Sequence, residues 1–232
     1  MTMRNLHLIA MAALIMLGFS GCEKSKVTNE AYPDVFIKAI KNTQGTPVYA
    51  AIHSVVSYSG VSSVSVQAPD GTSMQLTNYQ NSGYSFYNEP ADADYLATPP
   101  AAGTYTYTVK FNDGEVKTYT NSLSSATLLP ANISSLVKSA NGDSVYISWD
   151  AIANVDFYQL IINRGTTQVF TVDKLYDNNT PKRAFIKLGF SKSYLTSGTS
   201  GTYSFEMTGK LYETTDYVLL QAISPATKTI DL

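Results

Sequence analysis

Side chains able to do covalent or acid-base chemistry are scarce in this chain. It has one cysteine, Cys22, and two histidines, His7 and His53. Nucleophilic catalysis of the Ser-His or Cys-His kind needs a base beside its nucleophile, and ordinary zinc sites draw on Cys and His. Past Cys22 only His53 is left to serve either purpose. It sits in a strand-like run, Val48 to Val56, and reads as a satisfied strand residue. Carboxylates are the remaining raw material. Glu89, Asp92 and Asp94 lie close together and offer the oxygens that calcium takes six to eight at a time, although the EF-hand spacing is absent. With Asp173 and Asp177 they could supply a glycosidase, which sets two carboxylates roughly 5–10 Å apart across a cleft. No spacing pairs them. The expectation is a non-enzyme with no catalytic residue and no cofactor, and with Glu89, Asp92 and Asp94 as the one candidate calcium site.

The same neighbourhood suggests binding. Tyr79 to Tyr95 packs Tyr79, Tyr84, Phe86, Tyr87 and Tyr95 among Asn88, Glu89, Asp92 and Asp94. Pyranose rings stack their C–H faces on aromatic rings while hydroxyls take amide and carboxylate partners, and binding residues concentrate on loops held by a rigid scaffold. Tyr84, Phe86, Tyr87, Asn88, Glu89 and Tyr95 are therefore the candidate ligand-binding residues, with a glycan as the candidate ligand. A glycan site here requires Tyr84 or Tyr87 to be exposed.

Cys22 needs its own explanation, because a lone thiol forms no internal disulfide. It follows a short segment carrying Arg4 and an apolar run from Leu6 to Phe19. That run is shorter than the roughly twenty residues that cross a bilayer and suits a signal peptide. Phe19-Ser20-Gly21-Cys22 resembles the lipobox of bacterial lipoproteins of the Bacteroidetes type, with Phe where Leu is usual. The resemblance implies a signal peptide over 1–21, lipid on Cys22 and a flexible tether over 22–30. It also implies attachment to the cell envelope, with the outer membrane expected and the face left open. Several acyl chains hold a protein firmly where one does so marginally.

These residues must be positioned by strands. Charged residues are 15% of the chain against roughly 25% in soluble proteins, while 17 tyrosines and many threonines favour sheets. A formal net charge of −2 offers no electrostatic footprint for nucleic acid. Strands are predicted at Val35–Ile40, Val48–Tyr58, Ser63–Ala68, Ser73–Thr77 and Thr104–Phe111. In the last, Tyr105, Tyr107, Val109 and Phe111 alternate with polar residues, the period of a sheet with one buried face. Asn112-Asp113-Gly114 turns it into Glu115–Asn121. Helical periodicity is nowhere sustained. A Ser/Ala/Pro stretch, Ser122 to Ala131, reads as an inter-domain connection.

Strands resume at Ser144–Asp150 and Phe157–Asn163. Ser144-Val145-Tyr146-Ile147-Ser148-Trp149-Asp150-Ala151 with Tyr158 resembles strands B and C of a fibronectin type III domain. Leu195-Thr196-Ser197-Gly198-Thr199 with Gly201-Thr202-Tyr203-Ser204-Phe205 resembles that family's E–F corner and strand F. The resemblance covers 131–232 and implies a seven-stranded sandwich with Trp149 and Tyr158 in the core and Tyr203 pinning a corner. Gly103-Thr104-Tyr105-Thr106-Tyr107 echoes Gly201-Thr202-Tyr203-Ser204-Phe205.

The expected fold is all-β: two tandem immunoglobulin/fibronectin III-like sandwiches, over 31–125 and 131–232, after a lipoprotein signal peptide. One large jelly roll is the alternative. The expected function is a non-enzymatic, lipid-anchored envelope protein presenting a binding or adhesive surface. Its expected partners are the membrane, through the lipid, and a glycan or another envelope protein. The alternatives are glycan capture for a polysaccharide-uptake system, or an assembly subunit that pairs by strand addition.

Overall fold

The structure, a computed structural model, describes residues 28–175, 187–192, 200–215 and 218–232. The expected signal peptide, the lipidation site Cys22, Asp177 and the corner residues Leu195 to Thr199 lie outside the described residues.

Among the described residues fifteen strands follow in order: β1 (Ala31–Lys41), β2 (Pro47–Ser57), β3 (Val61–Gln67), β4 (Ser73–Gln75), β5 (Thr77–Asn78), β6 (Ser85–Asn88), β7 (Gly103–Phe111), β8 (Val116–Leu123), β9 (Ser135–Lys138), β10 (Ser144–Ser148), β11 (Phe157–Arg164), β12 (Thr167–Leu175), β13 (Lys187–Ser191), β14 (Thr202–Tyr212) and β15 (Leu220–Asp231). Two short 3-10 turns, Tyr79–Asn81 and Asp92–Asp94, are the other regular elements among the described residues. The alternation in β7 does what its period predicts: Tyr105, Tyr107, Val109 and Phe111 are all buried. Its turn works through Gly114, whose φ is +91° and whose N–H donates to the Phe111 carbonyl at 3.0 Å.

β1-β2-β6-β5 faces β4-β3-β7-β8 in the first sandwich, and β12-β11-β14-β15 faces β13-β10-β9 in the second. Among the described residues the second has seven strands, the number that the fibronectin resemblance implies. Trp149 and Tyr158 are buried, with ring centroids 5.6 Å apart, and the Tyr158 hydroxyl accepts the Ile152 N–H at 2.8 Å. Tyr203 is fully buried on β14.

The tandem arrangement carries a feature beyond that expectation. β1 and β15 pair in parallel at Ile37↔Ala222 and Lys38↔Ile223, so one eight-stranded sheet serves both sandwiches. Beyond Ser224, Pro225 has no N–H with which to continue a ladder. Its counterpart is Pro33, which lies in β1 ahead of the predicted start. Pro33 pairs with Val55 of β2, while β15 joins β1 only from Ile37 onward, so its missing donor faces no strand of that sheet. A single apolar cluster runs through both halves, from Ala31 to Leu232.

The expected inter-domain connection is fastened to β15. Gln221 is buried and accepts the Ser124 N–H at 3.2 Å. Its amide donates to the carbonyls of Ser124 at 3.1 Å and Ala126 at 2.6 Å. Ser224 Oγ donates to the Leu129 carbonyl at 2.9 Å and accepts the Ala131 N–H. Leu123, Leu128 and Ala131 are buried as well. A polar Ser/Ala stretch alone suggests a loose linker; the buried polar partners that hold it arrive about ninety residues later, where sequence proximity gives no hint.

Candidate functional site

The aromatic-acidic stretch divides between the two faces of β6. Phe86 opposes Val55 and is 3% exposed in the main core. Tyr87 opposes Ser54 on the outer face, and its ring meets Tyr79 edge to face at 6.1 Å. Beyond β6, the chain crosses the outer face of β1 and β2. It is held there by a two-way backbone bridge between Leu96 and Tyr49 at 2.8 and 2.9 Å. Beneath this strap lies a second small core of Phe36, Val48, Ala50, Ile52 and Tyr95. Tyr95 is 6% exposed.

Glu89 fastens the strap. Its carboxylate accepts from Lys38 Nζ, from the Tyr87 hydroxyl at 2.6 Å and from the Tyr95 hydroxyl at 3.0 Å. Burial pushes its pKa upward, yet the bonds from Lys38, Tyr87 and Tyr95 outweigh it and leave the carboxyl below its ordinary value. Burial first, then the adjoining Glu89 charge, lifts Tyr95 above the ordinary phenol range, and burial with the bond to Glu89 does the same to Tyr87. All three groups keep their neutral-pH charge state. The cluster is a structural clamp.

Five of the sequence-level candidates change meaning. Phe86 and Tyr95 are core residues, because β6 alternates its faces and the strap seals the outer one; neither ring can serve as a sugar platform. Glu89 keeps its oxygens for three donors of its own chain. Asp92 and Asp94 are exposed in a 3-10 turn, and no group of three His, Cys, Asp or Glu that could hold a metal forms among the described residues. The candidate calcium set is therefore not assembled. Asp173 accepts from the Gln159 amide at 2.8 Å, on a different part of the molecule.

Tyr84 meets the exposure requirement, being half exposed. Tyr87 and Asn88 line an open depression of about 290 Å³ with Thr77, Asn78, Tyr79, Gln80 and Glu89. Sequence reading missed Asn78 and Gln80 as its polar rim. The depression forms because β5 and β6 pair for only two residues before Gln80 and Asn81 take positive φ. Asn tolerates that region better than most residues, which was the one available signal.

Sequence reading also missed a buried polar relay. His53 is fully buried. Its Nδ1 lies 2.9 Å from the Tyr107 hydroxyl, which donates to the Asp34 carbonyl at 3.2 Å. Because that proton is used, Nδ1–H is the donor to Tyr107, and the buried Nε2 has no hydrogen-bond partner. Burial lowers His53 to about 4, so it is neutral at pH 7. Burial also raises the Asp34 carboxyl to about 6, against the opposing pull of backbone bonds from Leu220 and Val35.

No family model matches the chain, and no curated protein does. Solved structures overlap it loosely. A two-domain fibronectin type III segment from chicken tenascin shares 13% identity at a TM-score of 0.29, covering 88% of this chain and 100% of that one. The CD2-binding domain of CD58 shares 7% at 0.27, covering 75% and 87%. A tetra-tandem repeat from the extending region of a large adhesion protein shares 12% at 0.26, covering 87% and 50%. With scores this low, the fold stands on its own strand order.

Proposed function

We propose that this chain is a non-enzymatic, lipid-anchored protein of the cell envelope that presents a binding surface on a rigid double sandwich. The observation that carries the reading is how its polar groups are used. His53 and Glu89, the side chains best suited to chemistry, serve the interior of the fold, while Tyr79 and Tyr84 stand exposed on loops. Flat aromatic faces over fixed strands are how scaffolds of this kind engage partners. The anchor rests on the Phe19-Ser20-Gly21-Cys22 pattern. The surface that suits a ligand is the depression rimmed by Tyr79, Asn78, Gln80 and Asn88, and the ligand chemistry it fits is a glycan.

Two measurements test this. Wild-type protein should take up labelled palmitate in the producing cell and the Cys22→Ala protein should not; label persisting on the variant ends the anchoring reading. A soluble chain starting at Glu23, applied to a glycan array, should retain sugars, and Tyr79→Ala should release them. An array with no retention removes the glycan reading. The other reading, strand addition, then gains weight, because β12 is outermost in the eight-stranded sheet among the described residues.

A further inference from the structure

One end of the first sandwich collects exposed apolar side chains. There β1 begins, β2 ends at Ser57, β3 begins at Val61, β7 ends at Phe111 and β8 begins at Val116. Tyr58 is 82% exposed, Tyr32 55%, Tyr84 52% and Val56 47%, and Val116 is exposed too. Tyr32 and Tyr58 meet edge to face at 5.8 Å. No contact within the described chain explains keeping these groups in water.

The chain is pinned at this same end. Asn29 donates through its amide to Asp113 Oδ2 and Glu115 Oε2, both at 2.8 Å. Lys117 Nζ donates to the Asn29 carbonyl at 2.6 Å, and Ser57 Oγ donates to the Glu30 carbonyl at 2.6 Å. If Cys22 carries lipid, as the proposed function holds and on which this inference rests, the segment from Cys22 to Asn29 reaches at most about 25 Å when fully extended. The β1–β2 hairpin has 11-residue strands and is about 35 Å long. Its far end is beyond the tether's reach, and the tyrosine end is within it.

We infer that this end is a membrane-resting surface, with Tyr32 and Tyr58 seated in the headgroup layer of the bilayer that holds the lipid. A tyrosine ring with one apolar body and one hydroxyl suits that layer, where Tyr and Trp are enriched. Local charge is mixed, with Glu30, Asp113 and Glu115 set against Lys110 and Lys117. Attraction to anionic lipid is not the driving force, so a zwitterionic bilayer suffices. Resting on this end turns the second sandwich outward.

The test uses the full, lipidated protein in phosphatidylcholine vesicles, some brominated high on their acyl chains. In the Tyr58→Trp protein the added indole should emit at shorter wavelength and lose emission to the brominated lipid. In Val137→Trp, on the exposed face of the second sandwich, it should not. Buried Trp149 contributes the same background to both. Three results overturn the inference. If the Tyr58→Trp protein floats with vesicles but is quenched only by aqueous acrylamide, the anchor stands and the resting surface falls. Shielding that follows protein concentration and ignores bromine marks a second copy as the occupant. Wild-type protein that neither floats nor takes palmitate removes the anchor, and this inference with it.

Discussion

The two halves of the molecule end on the same hairpin and use it differently. β7 and β14 each follow the pattern Gly-Thr-Tyr-x-aromatic. Gly103 and Gly201 have φ of +142° and +154°, and Tyr105 and Tyr203 are buried. Each glycine pairs with a buried leucine at the end of the returning strand: Gly103 opposes Leu123, and Gly201 exchanges both backbone bonds with Leu232 at 2.9 Å. The echo in sequence is thus an echo in conformation. What differs is the far edge of the returning strand. β8 is outermost in its four-stranded sheet, whereas β15 is interior, because β1 docks on it. One hairpin closes a sandwich and the other joins two.

The glycines give the largest test of this parallel. A Cβ on Gly103 would lie 2.9 Å from Pro69 side-chain atoms, whereas on Gly201 the nearest contacts are with Arg164 at 4.0 Å. Backbone strain applies at both, crowding at one. Gly103→Ala should lose about 3 kcal/mol and Gly201→Ala about 1–2 kcal/mol in urea unfolding; equal losses would break the comparison.

The joining role of β15 predicts the next effect. Gln221→Ala orphans the Ser124 N–H and the carbonyls of Ser124 and Ala126, so it should cost about 2–3 kcal/mol and expose residues 122–131 to protease. In the wild type, Trp149 fluorescence, which reports on the second sandwich, and near-ultraviolet tyrosine dichroism, which also reads the first, should unfold in a single shared transition. Two separated transitions would mean that the shared sheet does not couple the halves.

Acid sharpens the contrast further, since Asp34 and His53 both belong to the first half. Asp34, raised to about 6, holds its proton longer folded than unfolded, so its contribution declines as pH rises from about 4 to 6. His53, lowered to about 4, contributes stability that is complete above about 6.5 and is lost as pH falls toward 4. The two slopes oppose each other. Asp34→Asn should stabilise the protein at pH 7 by about 1–2 kcal/mol, allowing for its partial exposure, and should uncover a steeper loss on acidification. A variant with an unchanged pH profile would rule out a buried Asp34 charge. The smallest effect is expected at the strap, where Tyr95→Phe removes one of three bonds to Glu89 and should cost about 1 kcal/mol.

Strand identity was legible in the sequence wherever one face alone is buried, as in β7. It was less legible where both faces are covered: Ile52 and Val55 of β2 are both buried, one beneath the strap and one in the main core. The sandwich pair was legible through Trp149, Tyr158 and the Gly-Thr-Tyr echo. The β1–β15 joint was not, because parallel pairing of two residues leaves no periodic trace and Pro225 argues locally against a strand. At the candidate site, composition located the right neighbourhood and misassigned its members. Phe86, Tyr87 and Tyr95 look alike in sequence, and only β6 parity and the strap separate core from surface. Lys38, the cation on Glu89, lies 51 residues away.

The pairing of β1 with β15 also governs when this protein can become itself. Ser224 Oγ reaches back to the Ala39 carbonyl across 185 residues, so the central ladder depends on some of the most distant contacts the chain can make. Closing a loop of that length carries an entropic cost before any contact rewards it, and topologies rich in such contacts fold slowly. The middle of the sheet cannot close until β15 has emerged. Until then the edge of β1 that β15 covers stays open, and the two halves are not yet one sheet.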